Sequence, residues 1–530
     1  MERGHSVADK NQPYHGKTLT FEIGPPKTGR EARTKGIKKI NENNAPCRLT
    51  RGLPTGVEVK QYTGVLLCGL LTWGICLMVF WEPFVPGGYL FNMTSMVLLG
   101  YVFGHTLERY TTIHPAFGMT LIGAICRNFT STNFLENSTA NAIDYHLRRI
   151  YPAIILTKGP LGWNWNYIKS NPVKVFSLAT IPWSVECLST VLFAHVLLGY
   201  PWYWGLHLGS ILASVSPALV VPITVAHRSR GLGVKKRIVD LVNNAGGLDT
   251  AFTEGMFGVI NSAIFFPSPP AYRILKAVVA IFLGVVLGIA WGVLADTIPD
   301  HGDLYAPTIR SILLLAGGVF LLYGCGYLGW GGTSGVAIMV CAGVAGTRWA
   351  RRGWPVNNNP VAEVYKLLWR VFEPMLFVLS GYYLDVSEIS IREFGLVVAC
   401  IFSALVLRLL TAFLIALASE LSVRESIFIA ITWIPKAIVE AVLVRVAMDS
   451  LWTEGATLQD NNIAKQHSNI IVIAILLTSF LGTILTTLLG STLLSQDSKV
   501  APEGVYAAEN ASQSGNSSSN TLSNIQYIDG

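Results

Sequence analysis

Several charged residues stand inside long apolar stretches of this sequence, where a charge needs either a partner or a function. They include Asp249, Lys436, Glu440, Glu186 and Arg408. An ionisable side chain at the centre of a lipid bilayer costs at least about 2.5–3.5 kcal/mol on insertion scales. A carboxylate at that depth can bind a proton or an ion, and a buried lysine can balance its charge. We therefore expect Asp249 to bind a proton or an ion, with Lys436 as a counter-charge.

The partner of Lys436 is left open by the sequence. Asp249 is its partner if the two segments that carry them cross at the middle of the membrane. Glu440 competes, because it lies four residues after Lys436 on the same helical face. Glu186 and Arg408 form another candidate pair, which we interpret as structural because arginine rarely releases its proton.

Three more residues are candidates for contact with an ion or a proton. Thr250 follows Asp249 directly and can offer an oxygen ligand, but it cannot carry a negative charge. Glu254 comes one helical turn after Thr250 and on the same face, which makes it a secondary candidate. Glu373, which precedes Pro374, is a secondary candidate as well.

The composition predicts that a multi-pass membrane protein holds these residues. Of the 530 residues, 51% are hydrophobic and 13% are charged, and the mean hydropathy is +0.46. A soluble globular protein has about 25% charged residues, so a string of soluble domains is excluded. The net charge of +7 does not indicate nucleic-acid binding, because Lys and Arg lie in the first 60 residues and in short loops.

Apolar runs of about 20 residues, each long enough to cross the hydrocarbon core, predict fourteen membrane segments. Residues 1–60 hold twelve Lys and Arg against six Asp and Glu, and we expect them to form a disordered basic arm. Residues 495–530 are rich in Ser, Asn and Gly and predict a disordered tail. The predicted segments are 61–82, 88–105, 113–127, 147–160, 173–199, 203–226, 236–262, 272–296, 309–328, 334–347, 361–384, 392–419, 425–449 and 468–494.

The loops predict the orientation of these segments. When the basic arm is placed in the cytoplasm, Lys and Arg are more frequent on the inner side, as the positive-inside rule expects. The basic loop at residues 227–237 is then inside, and the acidic loop at 385–391 is outside. Because the number of segments is even, both ends are predicted to be cytoplasmic. The membrane is left open between the plasma membrane and an endosomal or mitochondrial one.

The fourteen segments divide into two sets of seven, which predicts an inverted repeat. The sixth segment contains Ser216 and Pro217, and the thirteenth contains Pro435. A proline inside a helix removes a hydrogen-bond donor and interrupts the helix. Matching interruptions in equivalent segments indicate a binding site formed by two broken helices that cross near the middle of the membrane. The sequence therefore predicts an all-α polytopic membrane protein with a site at that crossing.

The sequence resembles the sodium/proton antiporters of the NHA branch, the sodium/hydrogen exchanger 9B type, within the cation/proton antiporter superfamily. The resemblance covers residues 60–494 and rests on residues 197–205, 214–222, 246–250 and 433–437. It implies a homodimer in a lipid bilayer. Each subunit would have a scaffold and a mobile core that includes residues 173–262 and 392–494. It also implies an elevator-like exchange of Na⁺ or Li⁺ for protons.

The resemblance further implies roles for single residues. The lysine that matches Lys436 pairs with the first carboxylate of a double-aspartate motif, and Glu186 with Arg408 resembles a family pair. Here Thr250 replaces the second aspartate, which in relatives binds the cation and the proton. Three outcomes are open: Asp249 serves both ions, alone or with help from Glu254; the site carries chloride coupled to protons; or transport is lost and the chain is a regulator.

No enzyme signature is found in the sequence. It lacks a phosphate-binding loop and the motifs of hydrolases or dinucleotide-binding proteins, so we expect a transporter driven by an ion gradient. No cofactor is expected, and no metal beyond a transported Na⁺. The expected partners are the transported ion, the proton, the bilayer and a second copy of the chain, without nucleic acid.

Overall fold

The computed structural model describes residues 56–130, 137–265, 269–451 and 457–496, and they are mostly helical. The predicted basic arm lies outside the described residues as far as residue 55, and the predicted tail lies outside them from residue 497 onward. The helices are α1 (Gly56–Phe80), α2 (Tyr89–Tyr110), α3 (Pro115–Phe129), α4 (Ser138–Leu161), α5 (Trp165–Ser170), α6 (Pro172–Leu198), α7 (Trp202–Leu212), α8 (Pro217–Arg228), α9 (Ile238–Phe265), α10 (Pro270–Thr297), α11 (Ala306–Tyr327), α12 (Thr333–Arg351), α13 (Pro360–Gly381), α14 (Ile391–Ala418), α15 (Val423–Thr432), α16 (Ile438–Leu443), α17 (Val446–Leu451) and α18 (Leu458–Leu493).

Each predicted membrane segment coincides with a helix or with a run of short helices. The sixth segment is the pair α7 and α8, and the thirteenth is the series α15, α16 and α17. The fourth segment was predicted too short, since 147–160 is only the second part of α4. The omitted part, residues 138–146, is polar and contains Asp144, whose carboxylate pairs with Arg148 one turn later at 2.9 Å, which is compatible with a helix.

In the part of the chain that the structure describes, seven helical spans are long and apolar enough to cross a membrane. Some of the other predicted segments carry charged residues that are packed inside the molecule. Helix α9, for example, carries Asp240, Asp249 and Glu254 and buries about half of its residues. The seven spans are Glu82–Tyr110, Pro172–Leu198, Trp202–Arg228, Val278–Thr297, Ala306–Tyr327, Ile391–Ala418 and Gln459–Leu493.

The helices pack as two groups. The crossing group contains α6 to α9 and α14 to α18: α6 packs against α14, and α8 packs against both α9 and α18. The scaffold group contains α2, α3, α4 and α11 to α13, and α10 lies along α12. The two groups meet where α9 contacts α12 and where α16 contacts α13. The site predicted from the sequence lies in the crossing group.

Candidate functional site

Two helix interruptions face each other in the crossing group. Residues 213–216 separate α7 from α8, and residues 433–437 separate α15 from α16. The backbone N–H of Ser216 donates to the carbonyl of Pro435 at 2.8 Å. The interrupted helices therefore meet at their breaks, which confirms the crossing predicted from the matching prolines.

Each interruption packs against a glycine of a following helix. Gly246 of α9 faces Pro217, and a β-carbon on this glycine would lie 3.1 Å from Cβ of the proline. Gly482 of α18 faces Pro435, and a β-carbon there would lie 2.3 Å from Cγ of the proline. Helix α18 can approach Pro435 this closely only because residue 482 lacks a side chain. The same contact of proline with glycine thus recurs in both sets of seven segments, as an inverted repeat requires.

Arg408 of α14 joins two carboxylates from different helices. Its Nη2 donates to Oδ2 of Asp249 at 2.8 Å, and its Nη1 donates to Oε2 of Glu186 at 2.5 Å. Nη1 also donates to the carbonyl of Ala213 in the first interruption. The contact of Glu186 with Arg408 was predicted; the contact of Asp249 with Arg408 was not.

Lys436, in the second interruption, pairs with neither of the two candidates that the sequence left open, Asp249 and Glu440. Its Nζ lies 2.8 Å from Oε1 of Glu186, and the ion pairs of the described residues do not join it to Asp249 or Glu440. Nζ also donates to the carbonyl of Leu212. The expected direct pair of Lys436 with Asp249 is therefore wrong for this conformation, because Arg408 occupies that carboxylate and Glu186 lies closer to the lysine.

The four side chains of Glu186, Asp249, Arg408 and Lys436 form what we call the crossing cluster. It holds two carboxylates and two cationic groups, so its formal charge is zero, and none of the four residues is more than 1% exposed. The N–H of Val215 donates to Oδ1 of Asp249 at 2.8 Å. Backbone groups left unpaired by a helix break are unfavourable when buried. The charged side chains therefore stabilise the break as well as one another.

Two hydroxyl groups lie beside the cluster. Thr250 is 8% exposed, and its hydroxyl donates to the carbonyl of Gly246 at 3.2 Å. The hydroxyl of Ser216 is buried and has no hydrogen-bond partner among the described residues.

Thr478 was missed by sequence reasoning, although its Oγ1 accepts a hydrogen bond from the backbone N–H of Lys436 at 3.1 Å. A threonine in an apolar helix gives no signal that would single it out.

Two of the predicted carboxylates form no ion pair with the cluster, although Glu440 interacts electrostatically with Lys436 and Arg408. Glu440 is completely buried, and neither of its oxygens has a hydrogen-bond partner among the described residues. Glu373 belongs to α13 of the scaffold group, where it interacts electrostatically with Lys158 of α4. The structure thus does not bring Glu373 to the crossing.

A cavity of about 520 Å³ lies between the crossing group and the scaffold group at one end of the molecule. Its wall includes Glu254 and Asn261 of α9, Arg148 of α4 and Asp449 of α17. Glu254 is partly buried, and no hydrogen bond or ion pair joins it to another described residue. Asp249 does not line the cavity, because it lies five residues deeper along α9.

A second ion network borders this cavity, and sequence reasoning missed how its members pair. We call Asp144, Arg148, Tyr383, Arg445 and Asp449 the rim network. Arg148 donates to Asp144 at 2.9 Å and to Asp449 at 2.5 Å, so it joins α4 of the scaffold group to α17 of the crossing group. The Tyr383 hydroxyl donates to Asp144, and Arg445 lies 3.6 Å from Asp449. Asp144 and Arg148 are four residues apart, as are Arg445 and Asp449. This spacing was the sequence signal that could have predicted both ion pairs.

Comparisons with known proteins find similar chains among sodium/hydrogen exchangers and sodium proton antiporters. Sodium/hydrogen exchanger 9B2 of Homo sapiens is 28% identical over 92% of this chain and 89% of its own length. Sodium/hydrogen exchanger 9B1 of Homo sapiens is 28% identical over 93% of this chain and 96% of its own length. The solved structure of the sodium proton antiporter MjNhaP1 from Methanocaldococcus jannaschii matches with a TM-score of 0.64 and 20% identity, covering 76% of this chain and 98% of its own.

The family predicted from the sequence is confirmed by these comparisons. The structural match confirms the fold, and the apolar helices together with the family match make the chain a multi-pass integral membrane protein. The family model described as sodium/hydrogen exchanger, transmembrane, matches residues 93–491, which is most of the chain. The chain therefore belongs to the sodium/hydrogen exchanger family.

Proposed function

We propose that this chain is a secondary active antiporter that exchanges Na⁺ or Li⁺ for protons. The observation that carries the proposal is the position of Asp249, a completely buried carboxylate where two interrupted helices cross. A carboxylate kept away from water binds a cation or a proton to lower the energy of its charge. The names of the relatives, sodium/hydrogen exchanger and sodium proton antiporter, support the choice of ions.

Asp249 carries the proton in one direction and the cation in the other. Its two oxygens are bound by Arg408 and by the N–H of Val215 in the described conformation. Arg408 also contacts Glu186. When a cation replaces Arg408 on Asp249, Arg408 therefore still has the carboxylate of Glu186 as its partner. Thr250 adds an oxygen but no charge. A single carboxylate that alternates between one proton and one cation makes the exchange one for one and electroneutral.

Lys436 acts as a counter-charge through Glu186 rather than by direct contact with Asp249. The ion pairs of the crossing cluster all lie within the crossing group, which can therefore move as a unit. Its boundary with the scaffold group contains the cavity. These features support an elevator-like movement of the crossing group along the scaffold group, in a homodimer with both ends of each chain on the cytoplasmic side.

Purified protein in lipid vesicles with an internal pH dye tests this function. An inward gradient of Na⁺ or Li⁺ should raise the internal pH, and clamping the membrane potential with K⁺ and valinomycin should not change the rate. Asp249→Asn should abolish the response. Asp300→Asn makes the same chemical change at an exposed position and should leave the response intact.

Two results would contradict the proposal. A pH response that follows Cl⁻ and ignores both Na⁺ and Li⁺ would assign proton-coupled chloride transport instead. No response to any of these ions, from protein that is folded and monodisperse, would favour a regulator without transport.

A further inference from the structure

Glu254 is a carboxylate on the wall of the cavity that has no cationic partner among the residues the structure describes. The other carboxylate on this wall, Asp449, is held by Arg148 at 2.5 Å. Glu440 is also without a partner among the described residues, but it is completely buried and does not line the cavity. Glu254 is therefore the negative group that an ion in the cavity can reach.

Glu254 stands between the cavity and Thr250 along α9. The two residues are one helical turn apart on the same face, and Asp249 comes directly before Thr250. The helical rise places Glu254 about 6 Å beyond Thr250 along the axis. Gly335 of α12 lies opposite, where a β-carbon would be 3.3 Å from Cβ of Glu254. The missing side chain at Gly335 leaves room for the carboxylate, whose Oε2 would lie 3.9 Å from such a β-carbon.

The crossing cluster lacks one negative charge whenever Asp249 holds a proton or a cation. Glu186 then faces both Arg408 and Lys436, so the cluster has a net charge of +1. A positive charge repels an approaching cation strongly in a medium of low dielectric constant. Thr250 cannot compensate, because its hydroxyl stays neutral. The carboxylate of Glu254 adds a negative charge on the side of the cavity, where an approaching cation can reach it.

The geometry points to Glu254 as a second cation-binding carboxylate, which holds Na⁺ or Li⁺ together with the hydroxyl of Thr250 before the ion reaches Asp249. This assignment rests on the proposed function and names the group that supplies the charge missing at residue 250. Hard cations prefer oxygen ligands, and both residues offer oxygen. The cavity is then the water-filled approach from one side of the membrane.

Glu254→Gln removes the charge and keeps the size of the side chain. In the vesicle assay we expect the apparent KM for Na⁺ to rise about tenfold, while the turnover at saturating Na⁺ changes less than about twofold. Glu388→Gln makes the same change at an exposed carboxylate, which lies 3.4 Å from Lys465, and should not alter KM. The double variant Thr250→Asp with Glu254→Gln should return KM to the wild-type value, because the aspartate replaces the lost charge.

Three results would overturn the assignment. A wild-type KM in Glu254→Gln, from protein that transports, would remove Glu254 from the path and leave the proposed function intact. An equal loss in the single and the double variant would show that the effect of Glu254 is structural. Absence of Na⁺ and Li⁺ transport in the wild-type protein would overturn the proposed function and this assignment with it.

Discussion

The crossing cluster and the rim network each contain two carboxylates and two cationic side chains, but these side chains have different neighbours. In the crossing cluster, Arg408 and Lys436 also bind backbone carbonyls that a helix break has freed. In the rim network, the guanidinium groups of Arg148 and Arg445 lie 5.9 Å and 5.3 Å from the ring centre of Tyr383.

This comparison separates two uses of a buried charge. At the crossing, charged side chains replace hydrogen bonds that a continuous helix would make for itself, so the charges and the backbone depend on each other. At the rim, the ion pairs of charged side chains connect one helix to another. Removing a charge should therefore be more harmful at the crossing than at the rim.

Arg408→Gln should have the largest effect and is the strongest test of this comparison. Two carboxylates and the carbonyl of Ala213 lose their common donor, and breaking a buried ion pair destabilises a protein by about 3–5 kcal/mol. We expect a large loss of monodisperse protein in size-exclusion chromatography and a lower melting temperature in detergent. Arg392→Gln, at an exposed position, is the matched control. A stable Arg408→Gln protein would show that the crossing does not depend on its charges.

Lys436→Gln should abolish transport but leave more folded protein than Arg408→Gln. Glu186 keeps Arg408 as its partner, and only the carbonyls near Leu212 lose a donor, which costs about 1–3 kcal/mol. Loss of a buried electrostatic group at the site should lower the exchange rate about a hundredfold or more. The rate is measured in vesicles at equal amounts of folded protein, with Lys465→Gln as the exposed control. Normal exchange by Lys436→Gln would refute its role as a counter-charge.

Arg148→Gln tests the rim network and should have a moderate effect. Asp144 keeps Tyr383, and Asp449 keeps Arg445, so neither carboxylate loses every partner. We expect a destabilisation of about 1–3 kcal/mol and a change in exchange rate of a few-fold, because a link between the two groups of helices is lost. Melting in detergent and the vesicle assay measure the two effects. Complete loss of exchange would mean that the rim takes part in transport.

Asp385→Asn should have the smallest effect and serves as a surface reference. Hydrogen bonds from Ser387 and the ion pair with Arg127 lower the pKa of Asp385. Because the folded form has the lower pKa, the carboxylate stabilises the protein above about pH 4 and loses this effect as the pH falls through the folded pKa. Since the pair is about a quarter exposed, we expect a destabilisation below about 1 kcal/mol at pH 7. The difference in melting temperature from wild type should shrink at pH 3; a constant difference would exclude the ionic origin.

The arrangement of helices was predictable from the sequence because it depends on the length of apolar runs and on two prolines. Pro217 and Pro435 indicated equivalent interruptions, and both interruptions are present. The fourth segment was predicted too short because residues 138–146 are polar and include the charge of Asp144, although they belong to α4. The ion pair between Asp144 and Arg148 within α4 lowers the free-energy cost of burying these charges, which the hydropathy pattern does not take into account.

The partners of the charges at the crossing were less predictable. Sequence spacing can place Lys436 and Glu440 on one helical face, but it does not say which side chain reaches across from another helix. The packing of the helices places Glu186 beside Lys436 and Asp249 beside Arg408. Only the three-dimensional approach of α6, α9 and α14 decides between these pairs.

The bond between Ser216 and Pro435 uses only main-chain atoms. Any residue except proline can donate at the first position, and any residue can accept at the second. A change of a nearby side chain, such as a threonine instead of an aspartate at residue 250, therefore leaves the junction of the two interrupted helices in place. The side chain at residue 250 takes no part in this junction, so the ion preference can change there without rebuilding the two interrupted helices.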